Sequence, residues 1–338
     1  MNRSRGNGEN PATVLVYVGL DAVGDGLIKL PFVRALRAAF PAARITWLAG
    51  KGHSVYAGSL APLVAGLLDE VIDQAGIGSR PRELWRRPLP DRRFDLILDT
   101  QRRVLTTLIV RRIRHHRFLS AAAGYWLSDA RPPRRGKPPA AMVEQLLTLV
   151  ELASGRSAGA AAPLPPDPIH AALAAHLLPP GVAYVGFAPG AGGRHKCWPL
   201  DRYLTVAAEV AAAGWVPVVL LGPAEAAEWA GMVRAAVPEA RLPLQEVSDL
   251  SPSLTIALGR RLQAAVANDS GTGHMLAAAD IPLLSLFGPT PAAKFAPTTP
   301  GLRLLRAQDF GGDTMESIPV TAVMTVLREM LGSAPLCF

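Results

Sequence analysis

The chain has 338 residues, of which 49% are hydrophobic and 18% are charged, and its formal net charge is +8. This length exceeds what one hydrophobic core usually serves, so two domains are predicted, and the composition excludes a largely disordered chain. The two cysteines, Cys197 and Cys337, lack the spacing of a metal site, which predicts a reducing compartment and no structural metal.

The first half of the sequence predicts a Rossmann-like domain. The polar start, Met1 to Pro11, lacks the apolar core of a secretory signal, and no apolar run in the chain reaches the ~20 residues of a membrane span. We therefore expect a soluble cytoplasmic protein, at most peripheral on a membrane. Apolar and helical periodicities then predict a strand at Thr13–Gly19, a helix at Gly26–Phe40, and strands at Arg44–Ala49 and Phe94–Thr100.

Positive charge is concentrated in this first half. Residues 1–168 hold 24 Lys and Arg against 14 Asp and Glu, a net charge of +10, whereas the remainder holds 11 against 13, a net charge of −2. The arginines lie mainly in Arg80–Arg93, Arg102–Arg117 and Arg131–Lys137. The second stretch predicts a helix with one apolar face, formed by Val104, Leu108, Ile109 and Ile113. Such a surface is either an ordinary solvated face or a docking site for an anionic partner.

A second Rossmann-like domain is predicted after the Gly-, Ala- and Pro-rich segment Ser154–Pro168. We place the domains at residues 1–165 and 166–338. The second repeats the alternation of strands and helices, with strands at Ala183–Ala188, Pro217–Leu221, Gln263–Ala267 and Leu283–Phe287, and helices at Leu200–Ala213, Gly273–Ala279 and Val320–Leu331.

Loops that follow strands are the natural ligand sites of such sheets. The loop Asp21–Gly26 follows the first strand, and its Asp25 either caps the next helix or faces a ligand. The loop Pro189–Pro199 combines glycines with cations, which suits a phosphate or diphosphate. It has neither the Walker A ending nor the GxGxxG spacing, so neither ATP hydrolysis nor NAD binding is supported.

Two further strand ends carry polar residues. The segment Asn268–His274 opens a helix, whose amides would stabilise an anion, although Asp269 or Ser270 could serve only as caps. After Leu221, Glu225 either accepts hydrogen bonds from ribose hydroxyls or is a solvated first-turn residue.

The order of these motifs resembles glycosyltransferase family 9, the ADP-heptose:lipopolysaccharide heptosyltransferase family. The resemblance lies in GDGLIKLPFVRALRAAFP near the start, PGAGGRHKCWP at residue 189, LLGPAEAAE at residue 220 and NDSGTGHMLAAADIPLLSLFGPTPAAKFAP at residue 268. It implies the GT-B architecture, in which two Rossmann-like domains face a central cleft, the first holding the acceptor and the second an ADP-sugar. The implied reaction is inverting transfer of heptose from ADP-heptose, without a cofactor or metal.

The resemblance also implies residue roles. Asp25 would be the general base and Lys196 would contact the donor phosphate, so these two are the predicted catalytic residues. Glu225 would bind the ribose. The predicted donor-binding residues are Gly190, Gly192, Arg194, Lys196, Glu225, Asp269, Ser270, Gly271, Thr272, Gly273 and His274, and the predicted acceptor-binding residues are Asp21, Gly24, Lys29 and Arg102.

The implied acceptor is an anionic glycolipid, the Kdo-lipid A type of inner core, on the cytoplasmic face of the inner membrane. Its negative charge suits the basic first half, which could also contact the membrane surface. Two alternatives stay open: transfer of another nucleotide-activated sugar to a different glycan, lipid or protein, and a non-catalytic protein that binds nucleic acid or a membrane surface. Binding of nucleic acid is disfavoured for two reasons. It would leave the polar loops at the strand ends without a function, and we expect no aromatic residues among the arginines that could stack on RNA bases.

Overall fold

A computed structural model describes residues 10–20, 23–133, 139–158, 164 and 167–332. The chain divides into two compact units, Met1–Ala162 and Pro163–Phe338. The exact boundary predicted between residues 165 and 166 stays a prediction, since its neighbourhood lies outside the described residues. Within the described ranges, no helix combines the length and apolarity needed to cross a membrane.

The first unit contains a five-stranded parallel sheet in the order β3-β2-β1-β4-β5. Its strands are β1 (Thr13–Val18), β2 (Arg44–Ala49), β3 (Glu70–Ile72), β4 (Arg93–Asp99) and β5 (Arg114–Ser120), and its helices are α1 (Val23–Ala39), α2 (Val104–Val110) and α3 (Met142–Ser154). Short 3-10 helices occupy Val55–Ala57, Ala61–Val64, Pro81–Trp85 and Ala122–Tyr125. The central strand β1 is almost entirely buried, as expected for a strand with neighbours on both sides.

The second unit has the same design, a five-stranded parallel sheet in the order β10-β9-β8-β6-β7. Its strands are β6 (Tyr184–Ala188), β7 (Val216–Val219), β8 (Leu262–Asn268), β9 (Leu283–Phe287) and β10 (Leu302–Arg306). Its helices are α4 (Pro168–Leu177), α5 (Leu200–Ala212), α6 (Pro223–Ala236), α7 (Pro252–Gly259), α8 (Gly271–Ala278), α9 (Ala292–Phe295) and α10 (Val320–Leu331). Two parallel α/β sheets confirm the predicted fold of each half.

The interpretation of Arg102–Arg117 as one amphipathic helix is wrong. The helix α2 ends at Val110 and the chain enters strand β5 at Arg114. Of the four residues predicted to share an apolar face, Ile109 and Ile113 are buried, whereas Val104 and Leu108 are 48% and 37% exposed. The apolar face was predicted wrongly because the buried side of α2 also includes two polar residues, Thr106 and Thr107. Their hydroxyls donate hydrogen bonds to the Gly78 carbonyl and to Asp99.

Candidate active site

The predicted base lies at the start of α1, beyond the carboxyl end of β1. Asp25 is the third residue of this helix and is half-buried, and Lys29 follows one turn later with 6% of its surface exposed. Side chains four positions apart share a helix face, so the two are neighbours. Within the described residues, no hydrogen bond or ion pair engages the Asp25 carboxylate, and Asp25 lies inside the helix rather than at the capping position before it.

The position of this helix start depends on Gly26. A Cβ atom added there would come within 2.6 Å of Val55 Cγ2 and 2.8 Å of Leu60 Cδ1, so a larger residue would push the helix away from its support. The Tyr56 hydroxyl donates a 2.7 Å hydrogen bond to the Gly26 carbonyl. These contacts fix the helix immediately after Asp25.

The other predicted acceptor residues are only partly described. Gly24 is half-buried beside Asp25, and Asp21 lies outside the described residues. Arg102 is exposed and donates a 3.2 Å hydrogen bond to Gln145 Oε1 of α3. The structure therefore gives Arg102 a side-chain partner within its own unit, and its predicted role toward an acceptor stays a prediction.

A buried carboxylate at the end of β4 was missed by the sequence analysis. Asp99 has no exposed surface and accepts hydrogen bonds from Thr107 Oγ1 at 2.6 Å, Ser120 Oγ at 2.9 Å and the Gln101 amide at 2.9 Å. Burial raises the pKa of the Asp99 carboxyl to about 6, against the lowering effect of these donors. The side chain of Gln101, held by this turn, lies against Gly19 at the end of β1.

In the second unit, the loop from Pro189 to Pro199 follows β6 and is fixed by Asn268 at the end of β8. The fully buried Asn268 side chain donates a 2.7 Å hydrogen bond to the Pro189 carbonyl through Nδ2. Its Oδ1 accepts hydrogen bonds from the Trp198 amide and the Tyr203 hydroxyl, each at 3.1 Å. One side chain therefore joins both ends of the glycine-rich loop to the neighbouring strand.

This connection brings Lys196 to the residue that follows Asn268. The Lys196 Nζ atom lies 3.1 Å from Asp269 Oδ2, and the two side chains are 30% and 10% exposed. Because Asp269 is nearly buried, its charge depends on this cation for compensation. A cation is thus held, partly open to solvent, where β8 turns into α8.

The amino end of α8 provides hydrogen-bond donors beside this pair. Ser270 is the N-cap, and its hydroxyl accepts a 3.1 Å hydrogen bond from the Gly273 amide. The predicted alternative, that Ser270 acts as a cap, is therefore correct. Its hydroxyl oxygen already accepts a hydrogen bond within the helix. In the described part of the chain, the Gly271 and Thr272 amides have no hydrogen-bond acceptor, as is usual at a helix start. His274 is buried, with 8% of its surface exposed.

Glu225 lies beside the glycine-rich loop. It stands in the first turn of α6, and a Cβ atom added at Gly190 would come within 2.7 Å of its Oε1. A Cβ atom at Gly222 would come equally close, 2.7 Å, to Oε2. Glycine at both positions therefore lets the half-buried carboxylate lie against the backbone of two strand-end loops. Gly192, by contrast, is exposed, and a Cβ atom added there would have nothing within 4 Å.

Arg194 does not accompany Lys196. Its guanidinium lies 4.7 Å from the centre of the Trp229 ring and forms an ion pair with Glu228, both on α6. The Arg194 side chain is 63% exposed. Of the two cations predicted to meet the donor, the structure brings Lys196 to Asp269 and turns Arg194 toward another helix.

Asn268→Ala should destabilise the second unit and loosen the predicted donor site. The change leaves two buried groups without their partner, the Pro189 carbonyl and the Trp198 amide, and leaves the Tyr203 hydroxyl only its 3.5 Å hydrogen bond to the Ala188 carbonyl. We expect a loss of about 2–4 kcal/mol in the free energy of unfolding. Urea unfolding would measure it, and calorimetric titration would follow ADP affinity.

The control for this change is Gln245→Ala, which removes an amide that donates one hydrogen bond to the Leu221 carbonyl at 3.2 Å. We expect it to cost less than about 1 kcal/mol. An Asn268→Ala protein as stable as the control would contradict the role of Asn268 in holding the loop.

Comparison with solved structures identifies the class of fold. The glycosyltransferase family 9 protein from Veillonella parvula superposes with a TM-score of 0.70, at 17% identity and over 96% of this chain and 99% of that chain. The E. coli heptosyltransferase WaaC with ADP gives a TM-score of 0.67 at 18% identity, over 94% of this chain and 99% of that chain. The two parallel-sheet units are therefore those of the GT-B fold.

The sequence identifies the family within that class. The model of glycosyltransferase family 9 (heptosyltransferase) matches residues 82–314, more than half of the chain, and the chain belongs to this family. Lipopolysaccharide heptosyltransferase 1 of Pseudomonas aeruginosa is 36% identical over 112 residues, which are 33% of this chain and 30% of that protein. The chain thus covers about a third of the length of the curated relatives it matches. The resemblance inferred from the motifs is confirmed at the level of the family.

Proposed function

We propose that this protein is an inverting glycosyltransferase that moves heptose from ADP-heptose to an anionic inner-core acceptor of the Kdo-lipid A type. The observation that carries the proposal is the juxtaposition of Lys196, Asp269 and the first amides of α8 at two adjoining strand ends. Membership of the heptosyltransferase family supports the sugar, and a relative solved with ADP supports the nucleotide.

The donor's diphosphate would bind at the start of α8. Amides of Gly271 and Thr272 lack protein acceptors among the described residues, and a helix start attracts negative charge. Lys196 lies within reach of the same turn because Asp269 holds it there. As the bond to the sugar breaks, charge grows on the β-phosphate, and a fixed cation with fixed amides stabilises it without reorganisation.

The ribose would be bound by Glu225. Its carboxylate lies against the backbones of Gly190 and Gly222, at the carboxyl ends of neighbouring strands β6 and β7. Acidic side chains at this place in a Rossmann-like sheet accept hydrogen bonds from ribose hydroxyls. A carboxylate here therefore suits a nucleoside diphosphate rather than a simple phosphate.

Asp25 would remove the proton from the acceptor hydroxyl as that oxygen attacks the anomeric carbon. Inversion requires one carboxylate on the side of the attacking oxygen, while ADP departs from the opposite face of the sugar. The carboxylate of Asp25 has no partner among the described residues, so it is available for this step. The neighbouring Lys29 would add positive charge on the side of the anionic acceptor.

The proposal is tested by donor profiling with a Kdo-lipid A acceptor. We expect the purified protein to bind ADP in preference to UDP and GDP, to release ADP, and to add the mass of one heptose to the acceptor, also in excess EDTA. If ADP binds but only another ADP-sugar is transferred, the heptose assignment is wrong. If no nucleotide binds, the transferase proposal fails.

A further inference from the structure

The first unit carries a surface that combines exposed tryptophans with cations. We call it the Trp–Arg face and define it as the 3-10 helix Pro81–Trp85 with Arg86 and Arg87, the solvent side of α2 with Arg103 before it and Arg111 and Arg112 after it, and the segment from Trp126 to Arg131. Trp85 is 79% exposed and Trp126 is 75% exposed. The expectation that no aromatics accompany the arginines is therefore wrong. Exposed tryptophans on a folded surface are typical of contact sites.

Hydrogen bonds join the three segments into one surface. Arg112, just after α2, donates a 3.3 Å hydrogen bond to the Arg86 carbonyl, next to Trp85. Arg111 donates to the Leu127 carbonyl and forms a 2.7 Å ion pair with Asp129, next to Trp126. The carboxyl end of α2 is therefore tied to both tryptophan-bearing segments.

Aliphatic side chains fill the space along α2. Val104 and Leu108, four positions apart and both exposed, lie on one helix face. Neither contributes to the core, in contrast to Ile109 and Val110 on the opposite side. Exposed aliphatic groups on a helix that is tied to both tryptophan-bearing segments are unfavourable in water, and a partner that covers them removes this cost.

The cations of this face are not neutralised within the protein. Among the described residues, no ion pair engages Arg82, Arg86, Arg87, Arg103 or Arg112, which are all exposed. Arg131 lies over the Trp126 ring, 5.4 Å from its centre. The nearby carboxylates are already engaged, since Glu83 accepts hydrogen bonds from three backbone amides and Asp129 pairs with Arg111.

We propose that the Trp–Arg face docks on the surface of a lipid bilayer rich in anionic headgroups. Arginines bind lipid phosphates, tryptophans lie at the level of the headgroups, and Val104 and Leu108 reach the upper acyl region. The aliphatic pair favours a bilayer over RNA, because Val and Leu side chains have no ring with which to stack on bases. None of these residues belongs to the proposed transfer site, so vesicles without any sugar acceptor test the proposal.

The test measures binding of the full chain to vesicles by flotation and by the blue shift of tryptophan emission. We expect binding to vesicles of phosphatidylcholine with 30% phosphatidylglycerol, at least about tenfold weaker binding to phosphatidylcholine alone, and weakening with added salt. Replacing both tryptophans, Trp85→Ala with Trp126→Ala, should reduce the partition coefficient at least about tenfold. Leu108→Ser and the pair Arg86→Gln with Arg87→Gln should each reduce it about threefold or more.

The matched control is Ile169→Ala in the second unit, since Ile169 is 77% exposed and lies outside the Trp–Arg face. We expect its vesicle binding to stay within twofold of the wild type, and unfolding midpoints to show that all variants fold. Equal binding to neutral and anionic vesicles, or binding that the tryptophan variants do not alter, would overturn the proposal. Binding of a single-stranded RNA through the same residues, without vesicle binding, would overturn it in favour of RNA.

Discussion

Asp25→Asn is expected to lower the rate of sugar transfer about 10³-fold while ADP affinity changes less than about threefold. An amide of the same size cannot accept the proton of the acceptor hydroxyl, so the chemical step loses its base. The fold should be unaffected, because the Asp25 side chain makes no hydrogen bond or ion pair within the described residues. Gly26 and Tyr56, which hold the helix start, remain in place.

The experiment compares single-turnover rates and ADP titrations for wild type, Asp25→Asn and the control Asp201→Asn. Asp201 is also an acidic residue in the first turn of a helix, α5, and is exposed. The same chemical change there tests any effect of lost charge at a helix start, which is about 0.3–1 kcal/mol. A rate for Asp25→Asn above a tenth of the wild-type value would remove Asp25 from the proposed mechanism.

This prediction has special weight because the family match begins at residue 82 and does not include Asp25. The role of Asp25 rests on the motif Gly24-Asp25 and on its place after β1. By contrast, Lys196, Glu225 and Asp269 all lie within the matched residues. Measuring the transfer rate of Asp25→Asn therefore tests the part of the mechanism that the family assignment supports least.

Central strands could be predicted from the sequence, and three of the four edge strands could not. The predicted strands correspond to β1, β2, β4, β6, β7, β8 and β9, most of them almost completely buried and continuously apolar. The strands β3, β5 and β10 lie at sheet edges and were missed. They carry charges, as in Leu302–Arg306, where three of five residues are exposed, so no apolar run or alternation marks them.

The candidate site could be located from the sequence but its internal contacts could not. Glycines and charges after strands marked the loops, because strand ends and helix starts have recognisable residue patterns. The partners of Asn268 lie 65 to 79 positions away along the chain, at Tyr203, Trp198 and Pro189. Such contacts depend on the register of neighbouring strands, which sequence patterns do not specify.

Arg194 and Lys196 illustrate the same limit at a finer scale. Both are cations of one glycine-rich loop, and charge alone predicts the same role for both. In the structure Lys196 turns to Asp269, whereas Arg194 turns to Trp229 and Glu228 on α6. The two residues are two positions apart in the short 3-10 helix Arg194–Lys196, which has three residues per turn, so their side chains leave the helix in different directions.

Lys196→Ala is expected to weaken ADP binding about 100-fold and to lower kcat/KM about 10³-fold or more. Two effects add. The diphosphate loses the cation that holds its growing charge, and Asp269, with only 10% of its side chain exposed, is left as an uncompensated anion close to the proposed diphosphate position. Repulsion between Asp269 and ADP should therefore account for part of the lost affinity.

A double-mutant cycle separates the two effects. Adding Asp269→Ala to Lys196→Ala should recover about tenfold of the lost ADP affinity, since the unpaired anion is removed, while kcat stays low because the cation is still absent. The control is Arg328→Ala, which breaks a 2.9 Å ion pair with Glu209 in the same unit. The side chains of Arg328 and Glu209 are 69% and 44% exposed, so loss of their ion pair should change the affinity for ADP little. If the double variant instead binds ADP more weakly than Lys196→Ala, then Asp269 contacts the donor directly and does more than hold the lysine.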